Sequence, residues 1–243
     1  MLQTRLLSIC AFIIIWQALS IVLASQVFPS SVDIGIKLFE HLVEGELLDD
    51  LKITLIRVVI TFFITMIIGV FIGIIMGISK KIDDVFDFLL VLGLNIPALV
   101  VIVICYIWFG LTDFAALLAV IINKVPIVIV NIREGTRAIE TKYMDLAKVY
   151  KVPKKQVFFK VFLPQIYPYM MASARLSLSL IWKIVLVVEL LGRSDGIGFK
   201  ISMFFQFFDI TSILAYSLAF IFIVMFIEMA ILKPLENKML EWK

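Results

Sequence analysis

The chain has 243 residues, 63% of them apolar and 17% charged, with a formal net charge of +3 and a mean hydropathy of +1.11. Soluble domains run near half apolar and about one-quarter charged, so composition excludes a water-soluble fold and predicts an all-α integral membrane protein. So small a net charge, without a basic face carrying aromatic platforms, also excludes nucleic-acid binding.

A spanning helix needs about 20 residues, so the chain has room for five or six spans and no separate soluble ATPase domain. Six apolar runs qualify, or nearly so: Leu6 to Ala24, Val58 to Ile78, Val85 to Phe109, Phe114 to Val130, Ile166 to Leu191 and Ile213 to Leu232. The first exceeds the roughly 7 to 15 apolar residues of a cleavable signal and is read as an uncleaved span. The second carries Gly69, Gly73 and Gly77 at every fourth position, a bare stripe that lets a neighbouring helix approach closely. In the third and fourth, Pro97 and Pro126 remove backbone hydrogen bonds and predict bends. Cys10 and Cys105 lie inside apolar runs without metal-type spacing and act as small hydrophobes.

Lys and Arg mark the cytoplasmic connections. Lys80 and Lys81 follow the second run, and Arg133, Arg137, Lys142, Lys148, Lys151, Lys154, Lys155 and Lys160 follow the fourth. The first connection is acidic, with Asp33, Glu40, Glu44, Glu46, Asp49 and Asp50, and faces outward. Lys233, Lys238 and Lys243 follow the sixth run, which places both termini in the cytoplasm.

The segment 131–165 is longer than a helix connection needs. Ile139, Tyr143, Leu146 and Tyr150 recur at helical spacing and form one apolar stripe that must be covered. Pro153 opens a second short helix, with Val157, Phe158, Val161 and Phe162 on its apolar side, and Leu163-Pro164 is expected to end it. The bland reading of such a pair is a helix lying on anionic headgroups.

Asp145-Leu146-Ala147-Lys148-Val149-Tyr150-Lys151, followed nine residues later by Val161-Phe162-Leu163-Pro164, resembles the signature of binding-protein-dependent ABC importer permeases. There the pattern reads Glu-Ala-Ala, three residues, Gly, nine residues, Ile-x-Leu-Pro. Ala147, Leu163 and Pro164 match in kind. Asp145, Leu146, Val161 and Lys151 depart from it, and Lys151 stands where a positive φ favours Gly, so the turn at 151–153 is expected to differ. Phe28-Pro29-Ser30, Ile96-Pro97, Trp108-Phe109-Gly110 and Leu186 to Gly192 look like the nitrate, sulfonate and taurine branch.

The resemblance implies a single permease domain over residues 1–243 with the six-span type I ABC importer permease fold, in the bacterial inner membrane. It implies a second copy of the permease, a cytoplasmic ATPase dimer that binds ATP and Mg, and an extracytoplasmic substrate-binding protein. The helix around Asp145 to Lys151 would enter a groove on the ATPase, and ATP-driven closure there would tilt the spans between inward-open and outward-open. Related branches resemble carriers of thiamin pyrimidine precursors or riboflavin. An ion-driven carrier is disfavoured because paired repeats and broken helices in both halves are missing.

Lys124 and Lys183 fall inside spans at similar depth, where an ionisable group is costly and marks a pathway. They are expected to line a cavity and attract an anionic solute, with Glu189 as the nearest acid in sequence. The bland alternative is pairing with Glu189 or an adjacent subunit, or snorkelling. Gly192-Arg193-Ser194-Asp195-Gly196 fits a nucleophile elbow only in spelling, because a membrane helix precedes it and nothing orients His41 as a base. No phosphate-binding loop of the Gly-x-x-x-x-Gly-Lys-Ser/Thr type occurs, so ATP and Mg are not expected on this chain.

Overall fold

The computed structural model describes residues 2–25 and 27–234; Lys238 and Lys243 lie outside them. Its elements, in chain order, are α1 (Leu2–Leu23), α2 (Ser31–Val43), α3 (Leu47–Ile78), α4 (Lys80–Asn95), α5 (Ala98–Phe109), α6 (Asp113–Arg137), α7 (Thr141–Val149), α8 (Lys154–Val157), α9 (Leu163–Gly192), α10 (Ile197–Gln206) and α11 (Ile210–Ile227). Phe158–Phe162 and Glu228–Leu232 are π-helical, and no strand occurs among the described residues.

Among the described residues, three helices are long and apolar enough to cross a membrane: α3, α6 and α11 with its π-helical extension. A fourth crossing results if α4 and α5 count as one broken span. The expected run Val85 to Phe109 is therefore corrected: its two helices meet at 96°. Pro97 holds Ile96 in an extended conformation, φ −68° and ψ 125°, because its ring disfavours the helical region for the residue before it. Asp83, Asp84 and Asp87 lie in the first two turns of α4, at the end that carries Lys80 and Lys81. Pro126, by contrast, leaves α6 unbroken, and Gly93 of α4 lies against its ring, 3.0 Å from where a Cβ would stand.

The chain divides into two compact units, residues 1–55 with 189–227, and residues 56–188 with those from Glu228 onward. In the first, α11 packs against α2 and α10. Ser30 and Asp33 form a reciprocal capping box at the start of α2, which fixes where that helix begins. Helix α10 lies between the apolar runs Ile166 to Leu191 and Ile213 to Leu232. Its free N-terminal amides meet side chains of α3 and α9: Gly196 N–H donates to Asp50 Oδ1 (3.2 Å), Ile197 N–H to Thr54 Oγ1 (3.0 Å) and Gly198 N–H to Glu189 Oε2 (2.9 Å).

In the second unit the glycine stripe of α3 is used as its spacing requires. A Cβ at Gly69, Gly73 or Gly77 would lie 2.5, 2.8 and 2.4 Å from the side chains of Val128, Ile132 and Thr136 on α6. Val128, Ile132, Phe162 and Ile166 are buried together, and Met66, Val70, Ile74, Ile139, Met144 and Met170 pack around them. The core of this unit thus joins α3 and α6 to the segment carrying the permease-like signature.

Candidate functional site

Ile139 belongs to the linker between α6 and α7, so the single stripe expected from Ile139 to Tyr150 is corrected. Its side chain packs on the Val128–Ile132–Phe162–Ile166 core alongside Met144, and Ala147 on the same helix is only 7% exposed. These contacts hold α7 against the body. The other members of the stripe face away, with Tyr143 at 48%, Leu146 at 46% and Tyr150 at 77% exposure.

Helix α7 ends in a paired backbone cap. Val152 N–H donates to Ala147 O (2.9 Å) and Lys151 N–H to Lys148 O (3.1 Å), which requires the intervening residue to be left-handed. That residue is Lys151, at φ 51°. The turn therefore takes the positive φ that glycine would supply, and carries a lysine there.

Leu163-Pro164 does not end the second helix, another correction. Residues 154–192 are helical without interruption, passing through the π-helical turn in which Leu163 N–H donates to Phe158 O. The wider turn accommodates Pro164, which has no N–H to give to Lys160 O and whose ring would crowd that carbonyl in a regular α-helix. Gln165 ties the two arms together: its Nε2 donates to Val161 O (2.9 Å), and its Oε1 accepts from Glu140 N–H (3.1 Å).

Between these arms lies a groove of about 550 Å³, with Tyr143, Leu146, Ala147 and Tyr150 on one wall and Val161, Pro164 and Gln165 on the other. Val152 and Lys160 complete it. Of the motif residues, Leu146, Ala147 and Pro164 are thus brought together, whereas Lys151 and Leu163 do not line the groove. Asp145 stays on the surface, paired with Lys148 at 2.9 Å with both side chains more than 60% exposed, a contact of little energetic weight.

Between α4 and the end of α6 is an ion-pair cluster that sequence reasoning missed. Arg133 Nη1 bridges Asp83 Oδ1 (3.0 Å) and Asp87 Oδ1 (2.6 Å), its Nε reaches Glu134 (3.1 Å), and Arg137 also pairs with Asp83. It fastens α4 to the end of α6, directly before α7. The readable signal was matched spacing: two aspartates four apart on one helix and two arginines four apart on another.

The intramembrane candidates separate. Lys183 is exposed on α9 and Lys124 half-buried on α6, and neither has an ion-pair partner among the described residues. Glu189, expected beside the pathway, is instead fully buried and holds Thr54 and the start of α10. Gly196, last residue of the elbow-like string, sits at φ 93° with no room for a Cβ, which would lie 2.6 Å from the Glu189 carboxylate. This explains the glycine by packing. Ser212 Oγ donates to Asp209 Oδ2 (2.6 Å) and meets His41 Nε2 at 3.0 Å.

The profile of the family described as "Binding-protein-dependent transport system inner membrane component" matches residues 66–232. The chain is 29% identical over 233 residues to SsuC of Bacillus subtilis, named for aliphatic sulfonates transport, covering 95% of this chain and 84% of that one. It is 31% identical over 187 residues to the Escherichia coli protein of the same name, covering 76% and 71%. In fold it resembles a chain of the inward-facing MetNI methionine ABC transporter, with a TM-score of 0.70 at 15% identity, covering 79% of this chain and 95% of that one. The match spans more than half of the sequence and contains both walls of the groove, so the chain belongs to the binding-protein-dependent transport inner membrane family and is a non-catalytic permease subunit of an ABC importer.

Proposed function

We propose that this permease carries a small oxyanion of the sulfonate class inward and that the loop of α7 and the start of α9 is its contact with a separate ATPase subunit, with the helix around Asp145 to Lys151 entering a groove on that subunit. The observation that carries the coupling reading is the co-location of Tyr143, Leu146, Ala147, Tyr150, Val161 and Pro164 in one open groove on a firmly anchored loop. Asp145, Lys151 and Leu163 lie beside these residues in sequence and belong to the same proposed contact. The cycle needs six crossings, by α1, α3, α4 with α5, α6, α9 and α11, with both termini cytoplasmic and residues 1–243 working as one domain.

Two copies enclose the pathway, an extracytoplasmic binding protein loads it, and the ATPase dimer supplies ATP and Mg. The substrate reading is supported by the names of the two sulfonate-transport relatives and by Lys183, an exposed cation among apolar neighbours on α9. Reconstitution with the ATPase and binding protein in liposomes tests it. ATP-dependent uptake of an alkanesulfonate, with taurine and nitrate as competitors, is the expected result. Uptake that persists on an ion gradient without ATP would overturn it.

A further inference from the structure

Helix α2 presents three faces. At about 100° per residue, each face is a sector about 60° wide. Ile34, Leu38 and His41 form the first, Asp33, Lys37, Glu40 and the capping Glu44 the second, and Val32, Ile36, Phe39 and Val43 the third. The first is packed: Ile34 is only 9% exposed, and His41 meets Phe204 of α10 and Ser212 and Tyr216 of α11. The second is polar and holds the Lys37–Glu40 ion pair at 2.9 Å. The third lies opposite the packed face and is apolar and bare, with Val32 at 58%, Ile36 at 55%, Phe39 at 66% and Val43 at 65% exposure.

The placement of α2 decides what covers that stripe. The chain doubles back after α1, so the start of α2 lies beside the last two turns of α1. Ser20 Oγ donates to Phe28 O (3.0 Å), Trp16 Nε1 donates to Pro29 O (3.1 Å), and Gln17 Oε1 accepts from Ser31 N–H (3.0 Å). At its other end His41 touches the first two turns of α11, and only residues 44–46 separate α2 from α3. Both α3 and α11, the latter with its π-helical extension, are long and apolar enough to cross a membrane, and α1 exposes Phe12, Ile14 and Ile21. Helix α2 is therefore tied to the ends of apolar helices, where their lipid-facing surface begins. Its 13 residues rise only about 20 Å, too little to cross. A second copy of the permease suits the stripe poorly, because helix contacts in lipid favour small residues and hydrogen bonds, and Val32, Ile36, Phe39 and Val43 offer neither. Branched and aromatic bulk beside a charged sector suits the boundary between acyl chains and headgroups.

We propose that α2 is an interfacial helix whose stripe of Val32, Ile36, Phe39 and Val43 is embedded in the acyl chains of the leaflet at this end, with Asp33, Lys37, Glu40 and Glu44 at headgroup level. This rests on the crossings by α1, α3 and α11 in the function proposed above. The test uses the full-length permease, in nanodiscs of phosphatidylcholine and phosphatidylglycerol, carrying C10A/C105A. A nitroxide is attached through cysteine in turn at Val32, Ile36, Phe39, Val43, Glu40 and Glu44, and variants that keep the parent unfolding temperature are read as a set. Oxygen concentrates among acyl chains and a nickel chelate stays in water. Relaxation by oxygen should exceed relaxation by nickel at the four stripe positions, and the order should reverse at Glu40 and Glu44.

Nickel dominating at all six positions would place the stripe in water and overturn the proposal. Exclusion of both reagents from the stripe would show that protein covers it, a second copy of the chain, and overturn it equally. Labels at Phe12 and Ile14, on opposite faces of α1, keep the underlying reading separate: nickel dominating at both would overturn the crossing by α1 itself.

Discussion

Thr54 Oγ1 donates to Glu189 Oε2 at 3.0 Å and, on its other side, accepts the Ile197 amide at 3.0 Å. Both side chains are fully buried. Asp50 completes the arrangement by accepting from the Gly196 amide and from Tyr216 Oη, each at 3.2 Å. The N-terminal amides of a helix have no partners within it, and here two carboxylates and a hydroxyl answer three of them. Thr54→Val keeps the shape but strands the Ile197 amide, and is expected to cost about 1–3 kcal/mol. Thr61 is equally buried but bonds only to carbonyls of its own helix, Arg57 O and Val58 O. Thr61→Val should therefore cost much less. Thermal unfolding of the purified permease checks the pair, and equal shifts would remove the special role of Thr54.

Gly73 lies where a Cβ would come 2.8 Å from Ile132 Cβ and 2.9 Å from Ile129 O. The backbone carbonyl has no freedom to withdraw. Gly73→Ala gains about 1 kcal/mol of helix propensity but loses about 1–3 kcal/mol or more to overpacking, so a net loss is expected. Gly35→Ala on α2 has nothing within 4 Å of the new methyl and should stabilise. Opposite signs from the same chemical change, read in one unfolding assay, would establish that α3 and α6 are in backbone contact here.

The parts legible in the sequence were those set by local chemistry. Period-four glycines gave the α3–α6 contact, Pro97 marked the bend, and the spacing from Asp145 to Pro164 marked the groove. What escaped was set by partners distant in sequence. Asp50 looked like one more acid in an outward connection, and its use became visible only when residues about 146 positions away came beside it. Glu189 drew attention as an intramembrane charge, yet its partners Thr54 and Gly198 make it an anchor for α10. Helix α10 was missed because its ten residues follow a glycine- and serine-containing turn and are too few to signal a span. Pro164 misled for a different reason: a π-helical turn absorbs a proline that a regular helix would not.

His41, on α2, packs between the rings of Phe204 (5.5 Å) and Tyr216 (5.1 Å). Burial lowers its pKa below 6.5, and the nearby Lys37 charge acts in the same direction, with Asp209 and Glu40 opposing and Lys200 adding a smaller push downward. The folded protein therefore holds the imidazole neutral at a pH where the unfolded chain already binds a proton. Stability contributed here is complete above about pH 6.5 and is lost as pH falls toward the folded-state pKa. Unfolding temperature recorded from about pH 7.5 to about pH 5 should fall on the acid side. In His41→Gln that part of the slope should shrink, and an unchanged slope would mean that other groups carry it.

Lys183 stands in an exposed stripe of α9 formed by Ala172, Leu176, Ser179, Lys183 and Val187, while Ser177, Ile181, Ile184, Val185 and Val188 are buried on the opposite side. Facing lipid, a lysine at this depth costs about 2.5–3.5 kcal/mol on insertion scales, so Lys183→Met should leave the protomer as stable or more so. If the stripe faces a water-filled pathway, the same change removes a cation from the anion's route. Half-saturating sulfonate for uptake should then rise about tenfold or more, the worth of a hydrogen bond to a charged group, and Lys183→Arg should restore part of it. Lys124, half-buried on α6, should show a smaller effect when changed to Met. Transport assays on variants that still assemble with the ATPase separate the two environments, because unchanged uptake in Lys183→Met with raised stability places the stripe against lipid or protein and takes Lys183 out of the pathway.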